Sequence, residues 1–207
     1  MKSKSTDPRS QRTRQLLREA LMTIVVDKPF RDLTIRDITD AAGVNRATFY
    51  LHYEDKYDLL EDCAEEIFET IRTTVKMEEF FDVTHLRISP EDELQRMTTV
   101  LKIVASKADF FRAMMRQDGT TMFQTLFRET ASNMMKSQVI ALFEFHEKSV
   151  DEDLIDMMVR FQSAGNFDVI GWWLENDMQI PIEVMAKRLA TITMPPLIRL
   201  LINESIH

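Results

Sequence analysis

Apolar residues return at every third or fourth position along almost the whole chain, and alternating runs of β-branched residues are nearly absent. The pattern predicts an all-α fold of about nine helices. Asp7-Pro8, an N-cap with proline at the first helical position, opens a helix to about Val26. Its inward stripe is Leu17, Ala20, Leu21 and Ile24, with Leu16 and Val25 on the flanks. Two short helices follow between Thr34 and His52. Asp55 then caps a fourth helix reaching Lys76, with Leu60, Cys63, Ala64, Ile67 and Ile71 inward. After a loop at 77–89, Ser89-Pro90-Glu91-Asp92 restarts helix, and further helices are predicted near 90–106, 108–117, 121–147, 151–176 and 181–205. Asp118-Gly119 separates two of them. Pro195-Pro196 is expected to kink or interrupt the last, because each proline removes a backbone donor.

The most specific local pattern lies at 33–53. Thr34 is a good N-cap, and Asp37, three residues on, is placed as its capping-box partner. Ile35, Ile38 and Ala42 share one helical face. Gly43 supplies the backbone freedom for a sharp reversal. Val44 is an apolar anchor before Asn45, which caps the next helix. On that helix Phe49 and Tyr53, four apart, face the core, leaving Arg46, Thr48, Tyr50 and His52 toward the other side or its edges. This is the form of a helix-turn-helix, whose second helix fits the DNA major groove. The plainer alternative is a pair of amphipathic helices with a solvated basic side.

From about Arg12 to Leu60 the chain resembles the TetR-type (TetR/AcrR) bacterial transcriptional regulators. The resemblance rests on Thr34-Ile35-Arg36-Asp37-Ile38, Ala41-Ala42-Gly43-Val44, Thr48-Phe49-Tyr50, and His52-Tyr53 followed by Lys56 and Leu59-Leu60. Asn45 replaces the usual serine cap, and Tyr53 stands where phenylalanine is more common. The resemblance implies a DNA-binding domain at 1–53 with its helix-turn-helix at 33–53. A regulatory and dimerisation domain at 54–207 follows, with helix 54–76 as the connection. The DNA-binding residues are then Thr34, Asn45, Arg46, Thr48, Tyr50, His52 and Lys56. Arg46, Thr48 and Tyr50 are expected to touch the groove or backbone, with Thr34, His52 and Lys56 as phosphate anchors. Lys56 is chosen because a cation beside open helix-start amides suits a phosphate.

Charge supports this polarity. Residues 1–53 hold ten Lys/Arg and six Asp/Glu, a balance of +4, which leaves −12 for 54–207 within a chain of net charge −8. A basic head on an acidic body is expected when only one end meets a polyanion, and binding should weaken steeply with salt. Cys63 is the only cysteine, which excludes an intramolecular disulfide and fits a reducing cytoplasm; its helical position makes it a core thiol. No apolar run approaches membrane-spanning length and no signal peptide opens the chain, so a cytoplasmic location is expected.

The eighth predicted helix is apolar nearly all round from Phe161 to Leu174, and Ala164 and Gly171 leave room for another helix. The ninth offers Ile182, Met185, Ala186, Leu189 and Ile192 on one stripe. These two helices are the candidate homodimer seam, through Ala164, Gly171, Trp172, Ile182, Met185 and Leu189. The stretch Gly171-Trp172-Trp173-Leu174-Glu175-Asn176 followed by Pro181 is similar to the C-terminal end of many relatives. Two recognition helices in a dimer would read a palindromic operator in double-stranded DNA. The resemblance also implies a small-molecule cavity among the intervening helices. Its candidate lining is Phe111, Met115, Met122, Phe127, Met134 and Phe161, with Asp168 orienting a ligand; a methionine-rich core is the simpler account of each residue.

Catalysis has little to stand on. His52, His85, His146 and His207 are far apart without zinc-ligand spacing, and HExxH, paired ExxH, GxSxG and glycine-rich phosphate loops are all missing from the sequence. Asp82 to His85 is a lone DxxH. No cofactor or metal is implied. The sequence therefore reads as a dimeric DNA-binding repressor released by a small apolar ligand. The alternatives are an activator, a regulator controlled by a protein co-regulator, or a helical interaction protein without DNA affinity.

Overall fold

A computed structural model of the chain describes residues 7–75, 90–115, 121–145 and 151–202. Helices begin where the sequence offers caps. Asp7 accepts a hydrogen bond from the Arg9 amide and Pro8 takes the first position of α1 (Pro8–Ile24). A 3-10 turn at Phe30–Asp32 leads to α2 (Ile35–Ala42), α3 (Arg46–His52) and α4 (Lys56–Val75). The remaining helices are α5 (Pro90–Ser106), α6 (Ala108–Met115), α7 (Thr121–Phe145), α8 (Glu152–Glu175) and α9 (Ile182–Ile202). Among the described residues all regular structure is helical, and no helix is long and apolar enough to cross a membrane. The expected loop at 77–89 with Asp82 and His85, the break at Asp118-Gly119, and His146 and His207 lie outside the described residues.

Two details of the helices differ from expectation. In α1 the buried row is Leu17 and Leu21, continued by Val25 at the C-cap, with Ala20 beside it, while Ile24 is half-buried. The core follows the four-residue row and not the three-residue one. The last helix is not interrupted at Pro195-Pro196, since α9 runs through both to Ile202. Proline's φ is itself near the helical value, so the pair removes two donors and crowds the preceding turn without ending the helix.

The chain forms two compact units. The first comprises Met1–Ile67 with Ala108–Leu126, and the second Phe68–Lys107 with Phe127–His207, so α4 and α7 contribute to both. The first unit extends beyond residue 53 because the opening turns of α4 supply core. Leu59, Leu60, Cys63, Ala64 and Ile67 are all fully buried or nearly so. There α1 packs on α2 and α3, and the rings of Phe110, Phe111 and Phe123 meet at 5.5 to 6.1 Å between centroids.

In the second unit α9 packs along α5 and meets α8. The Phe127 ring lies 4.8 Å from Phe68 and 5.7 Å from Phe167. Gln162 on α8 donates to the Thr193 carbonyl of α9 at 2.8 Å, and the Trp173 indole donates to the Ile180 carbonyl at 2.8 Å. The α8–α9 turn places Asp177 and Met178 at φ 52° and 51°, a left-handed pair without glycine.

Burial in this unit corrects several expected roles. Met185 and Leu189, expected at the dimer seam, are each 2% exposed, because the protomer's own packing of α9 takes that stripe. Phe161, taken as a cavity residue, is 80% exposed, and Asp168 beside it on the outer face of α8 is also exposed. An all-round apolar helix buries one row (Ile155, Val159, Phe167, Ile170, Trp173, Leu174) and leaves Met157, Phe161 and Trp172 on the other. Ala164 and Gly171 on α8 and Ile182 on α9 are half-buried. Of the remaining cavity candidates, Phe111 is a core ring in the first unit, while Met115, Met122, Phe127 and Met134 are half-buried.

Candidate nucleic-acid interface

The helix-turn-helix is assembled from side chains that close its own backbone. Thr34 caps α2: its hydroxyl accepts from the Asp37 amide at 3.1 Å, and the Thr34 amide and hydroxyl both donate to the Asp37 carboxylate at 2.8 Å. Lys28 reaches the same carboxylate at 2.7 Å. Hydrogen bonding from Lys28, then from Thr34, holds that carboxyl well below the usual carboxylate range. Thr34 thereby serves as the cap that the sequence predicts, and its donors are taken within α2.

Gly43 ends α2 at φ 66°, ψ 29°. A Cβ there would meet nothing within 4 Å, so the requirement for glycine is purely one of backbone angle. Asn45 then caps α3, its side-chain oxygen accepting from the Thr48 amide at 2.7 Å and the Thr48 hydroxyl at 3.0 Å. Phe49 and Tyr53 anchor α3 inward, at 0% and 1% exposure.

The outer face of α3 consists of Arg46, Ala47, Tyr50 and Leu51. Arg46 donates to the Tyr50 hydroxyl at 3.4 Å and its guanidinium lies 6.0 Å from the ring centroid. Tyr50 is 43% exposed and Leu51 73%. Ala47 and Leu51 are not among the residues that polarity singles out in the sequence. Their signal was spacing: Ala47 follows Arg46, and Leu51 stands four residues beyond Ala47. An apolar pair on such a face suits the thymine methyl group.

His52 is placed apart from that face. It lines a cleft of about 310 Å³ with Arg14, Tyr53, Tyr57, Met122 and the carboxylates of Glu54, Asp55, Asp58, Glu61, Asp62 and Glu65. This acidic start of α4 changes the electrostatic picture. Extending the count from residue 53 to Ile67 adds one lysine and seven carboxylates, which turns +4 into −2. The basic character of the first unit is therefore local. Arg9, Arg12, Arg31, Arg36 and Arg46 are exposed, whereas Arg14 and Arg18 turn inward.

Those two arginines meet a single buried carboxylate. Asp62 accepts from Arg14, from Arg18 at 2.9 Å and from the Tyr53 hydroxyl at 2.6 Å, and Arg18 also pairs with Glu66 at 2.8 Å. Burial alone would raise the Asp62 carboxyl, but Tyr53 and the guanidinium groups outweigh it and hold the group below its ordinary range. Burial and the bond to Asp62 push the Tyr53 phenol far above its usual range. Tyr53 thus ties the end of α3 to α1 and α4.

Lys56 is also turned inward. Its ammonium donates to the carbonyls of Phe30 at 2.9 Å, Arg31 at 2.8 Å and Leu33 at 2.8 Å, and desolvation lowers its pKa. Of the seven sequence candidates, the structure places Arg46 and Tyr50 together on the open face. Thr34, Asn45 and Thr48 lie at helix starts, His52 in the acidic cleft and Lys56 under the 3-10 turn. Among the described residues no cluster of His, Cys, Asp and Glu could hold a metal ion.

Residues 17–63 match the family described as bacterial regulatory proteins, tetR family, and residues 91–195 match a transcriptional regulator C-terminal region of the same family. The HTH-type transcriptional regulator YxbF of Bacillus subtilis is 22% identical over 173 residues. That alignment covers 83% of this chain and 42% of the relative, so the chain matches less than half of that protein's length. The crystal structure of a TetR-family transcriptional regulator from Syntrophomonas wolfei superposes with a TM-score of 0.73 at 16% identity, covering 94% of this chain and 99% of that one. The regulator FadR from Bacillus subtilis, in complex with stearoyl-CoA, gives 0.62 at 15% identity over 87% of this chain and 97% of that one. Nine helices among the described residues, a capped helix-turn-helix, and family matches to both the helix-turn-helix and half of the chain lead to one assignment: the protein belongs to the TetR family of bacterial transcriptional regulators.

Proposed function

We propose that the chain is a homodimeric, sequence-specific DNA-binding repressor whose α3 reads base edges in the major groove of a palindromic operator. The observation that carries this reading is the open face of α3. Arg46, Ala47, Tyr50 and Leu51 look outward from a short helix whose inward side is locked by Phe49 and Tyr53. Arg46 and Tyr50 are the groove contacts, and Thr34, Asn45 and Thr48 set the ends of α2 and α3 so that the outward four keep their geometry. Exposed Arg9, Arg12, Arg31 and Arg36 provide phosphate contacts.

The dimer forms through the outer rows of α8 and α9. Met157, Phe161, Trp172, Val184 and Ile192 are all exposed large apolar residues, a concentration that a solitary soluble protomer rarely shows. Release comes from a small apolar ligand that binds one spacing of the two α3 helices better than the other; without such a difference in affinity nothing would shift. Because the structure of FadR contains stearoyl-CoA, a long-chain acyl-CoA is the first ligand class to try on this chain.

The test is selection of duplexes from a genomic library, followed by titration of the enriched site. Arg46→Ala should weaken binding by about 1–3 kcal/mol with the unfolding midpoint unchanged. Enrichment no better than for random duplex, at every salt concentration, would sink the DNA-binding reading. Added acyl-CoA should lower operator occupancy. Occupancy that responds only to a protein fraction would replace the ligand with a co-regulator.

A further inference from the structure

The start of α4 has the two features that attract a phosphate, a lysine and a helix N-terminus. Both are already engaged within the chain. The three N–H donors of the Lys56 ammonium match three carbonyl oxygens, those of Phe30, Arg31 and Leu33, at 2.8 to 2.9 Å. The ammonium also lies 5.0 Å from the Phe30 ring centroid and 5.6 Å from that of Tyr57. The backbone amides beside it are closed by carboxylates. Asp55 accepts from the Tyr57 amide at 2.7 Å and the Asp58 amide at 3.0 Å, and Asp58 accepts from the Glu54 amide at 3.0 Å. A phosphate approaching this helix start would face the carboxylates of Glu54, Asp55 and Asp58.

We infer that Lys56 is a positioning residue and not a phosphate contact: it ties the first turn of α4 to Phe30–Leu33, the segment that delivers the chain into α2. Leu33 immediately precedes the Thr34 cap, so the tie fixes where the helix-turn-helix begins relative to α4. A 3-10 turn has carbonyls without helical partners at its end, and a flexible stem ending in three donors is suited to gather them. Arginine is not suited, because its planar fork points its donors outward in one plane.

The inference rests on the DNA-binding reading only where affinity is measured, and the first arm of the test uses free protein. Wild-type chain is treated with an amine-acylating reagent and labelled lysines are quantified by peptide mass. Lys56 should label about tenfold more slowly than the exposed Lys102 and Lys187 with no DNA present. Labelling of Lys56 at their rate, with protection appearing only on adding the enriched duplex, would overturn the inference. In the second arm, Lys56→Met and Lys56→Arg should both shift the unfolding equilibrium toward the unfolded state by about tenfold. Both should also keep the wild-type slope of log affinity against log salt. Loss of a phosphate contact instead lowers that slope by about 0.9 in Lys56→Met and spares it in Lys56→Arg. That result overturns the proposal even with slow labelling. If the chain binds no duplex at all, the functional reading fails while labelling still decides Lys56; if a variant does not fold, the wild-type labelling decides.

Discussion

The first unit and the α8–α9 pair use apolar side chains in opposite ways. In α1 to α4 an apolar residue at helical spacing is generally core, as Leu17, Ile38, Phe49, Leu60 and Ile67 show, and the proposed function sits mainly on what is left outside. In α8 the apolar residues divide. Val159, Phe167 and Trp173 are buried, whereas Met157, Phe161 and Trp172 stand open. Hydrophobicity alone marks the interior in one region and fails to separate interior from surface in the other. What separates them is the width of the apolar stripe: a stripe of about a third of the circumference has one possible neighbour, and a helix apolar all round needs two. The proposed second neighbour is another copy of the chain.

The sharpest way to break that comparison is to attack a polar group in the first unit that behaves as core. Asp62→Ala leaves Arg14 without its carboxylate and Arg18 with Glu66 alone. It should cost about 3–5 kcal/mol of folding stability, the range for stranding a buried charge. The pH dependence follows from the sign of the shift. Because the folded carboxyl is held below its unfolded value, its contribution is present above about pH 4 and lost as pH falls through the lower folded value. Urea unfolding followed by circular dichroism at pH 7, 5 and 3 should show Asp62→Asn converging on wild type only at the acid end. A constant difference at all three would mean that the network contributes packing and not charge.

A smaller effect distinguishes the two rows of the C-terminal helices. Leu189→Ala should cost about 2–4 kcal/mol of protomer stability, since its side chain is core. Phe161→Ala with Trp172→Ala should leave the helical content intact and raise the dimer dissociation constant by about 100-fold, measured by sedimentation equilibrium. Should the double variant remain a dimer while Leu189→Ala dissociates without unfolding, the inner and outer rows have been assigned the wrong way round.

Nearly every helix was legible from sequence, because caps at Asp7, Thr34, Asn45, Asp55 and Asp151 coincide with changes of apolar phase. Faces were harder. Met185 and Leu189 share a stripe with Ile182, and periodicity finds the stripe without saying whether α5 or another copy covers it. The polar residues near the turn are the DNA candidates, and polarity does not distinguish an outward contact from a cap. Thr34 and Asn45 bond their own helices, whereas Ala47 and Leu51 stand outward with nothing polar to announce them. Lys56 and Arg14 look alike in sequence, as cations at the start of amphipathic helices or on their polar side. Their partners, three carbonyls and a carboxylate 48 residues away, exist only once the chain has folded.

The smallest predicted effect concerns Gly43, where one backbone angle connects the two recognition elements. At φ 66° an L-residue incurs strain, yet the space a Cβ would enter is empty. Gly43→Ala should therefore destabilise by about 1–2 kcal/mol, the cost of left-handed backbone. Gly43→Asn should recover a good part of that loss, because asparagine tolerates the region through local hydrogen bonding. If the loss were steric, asparagine, the larger side chain, would be the worse of the two. Thermal melts of the pair read the ranking directly. Operator affinity measured well below the melting range should stay near wild type for Gly43→Asn, since the angle between α2 and α3 is retained. An affinity loss in Gly43→Asn as large as that of Arg46→Ala would show that the turn does more than join the helices, and that its backbone takes part in the contact with DNA.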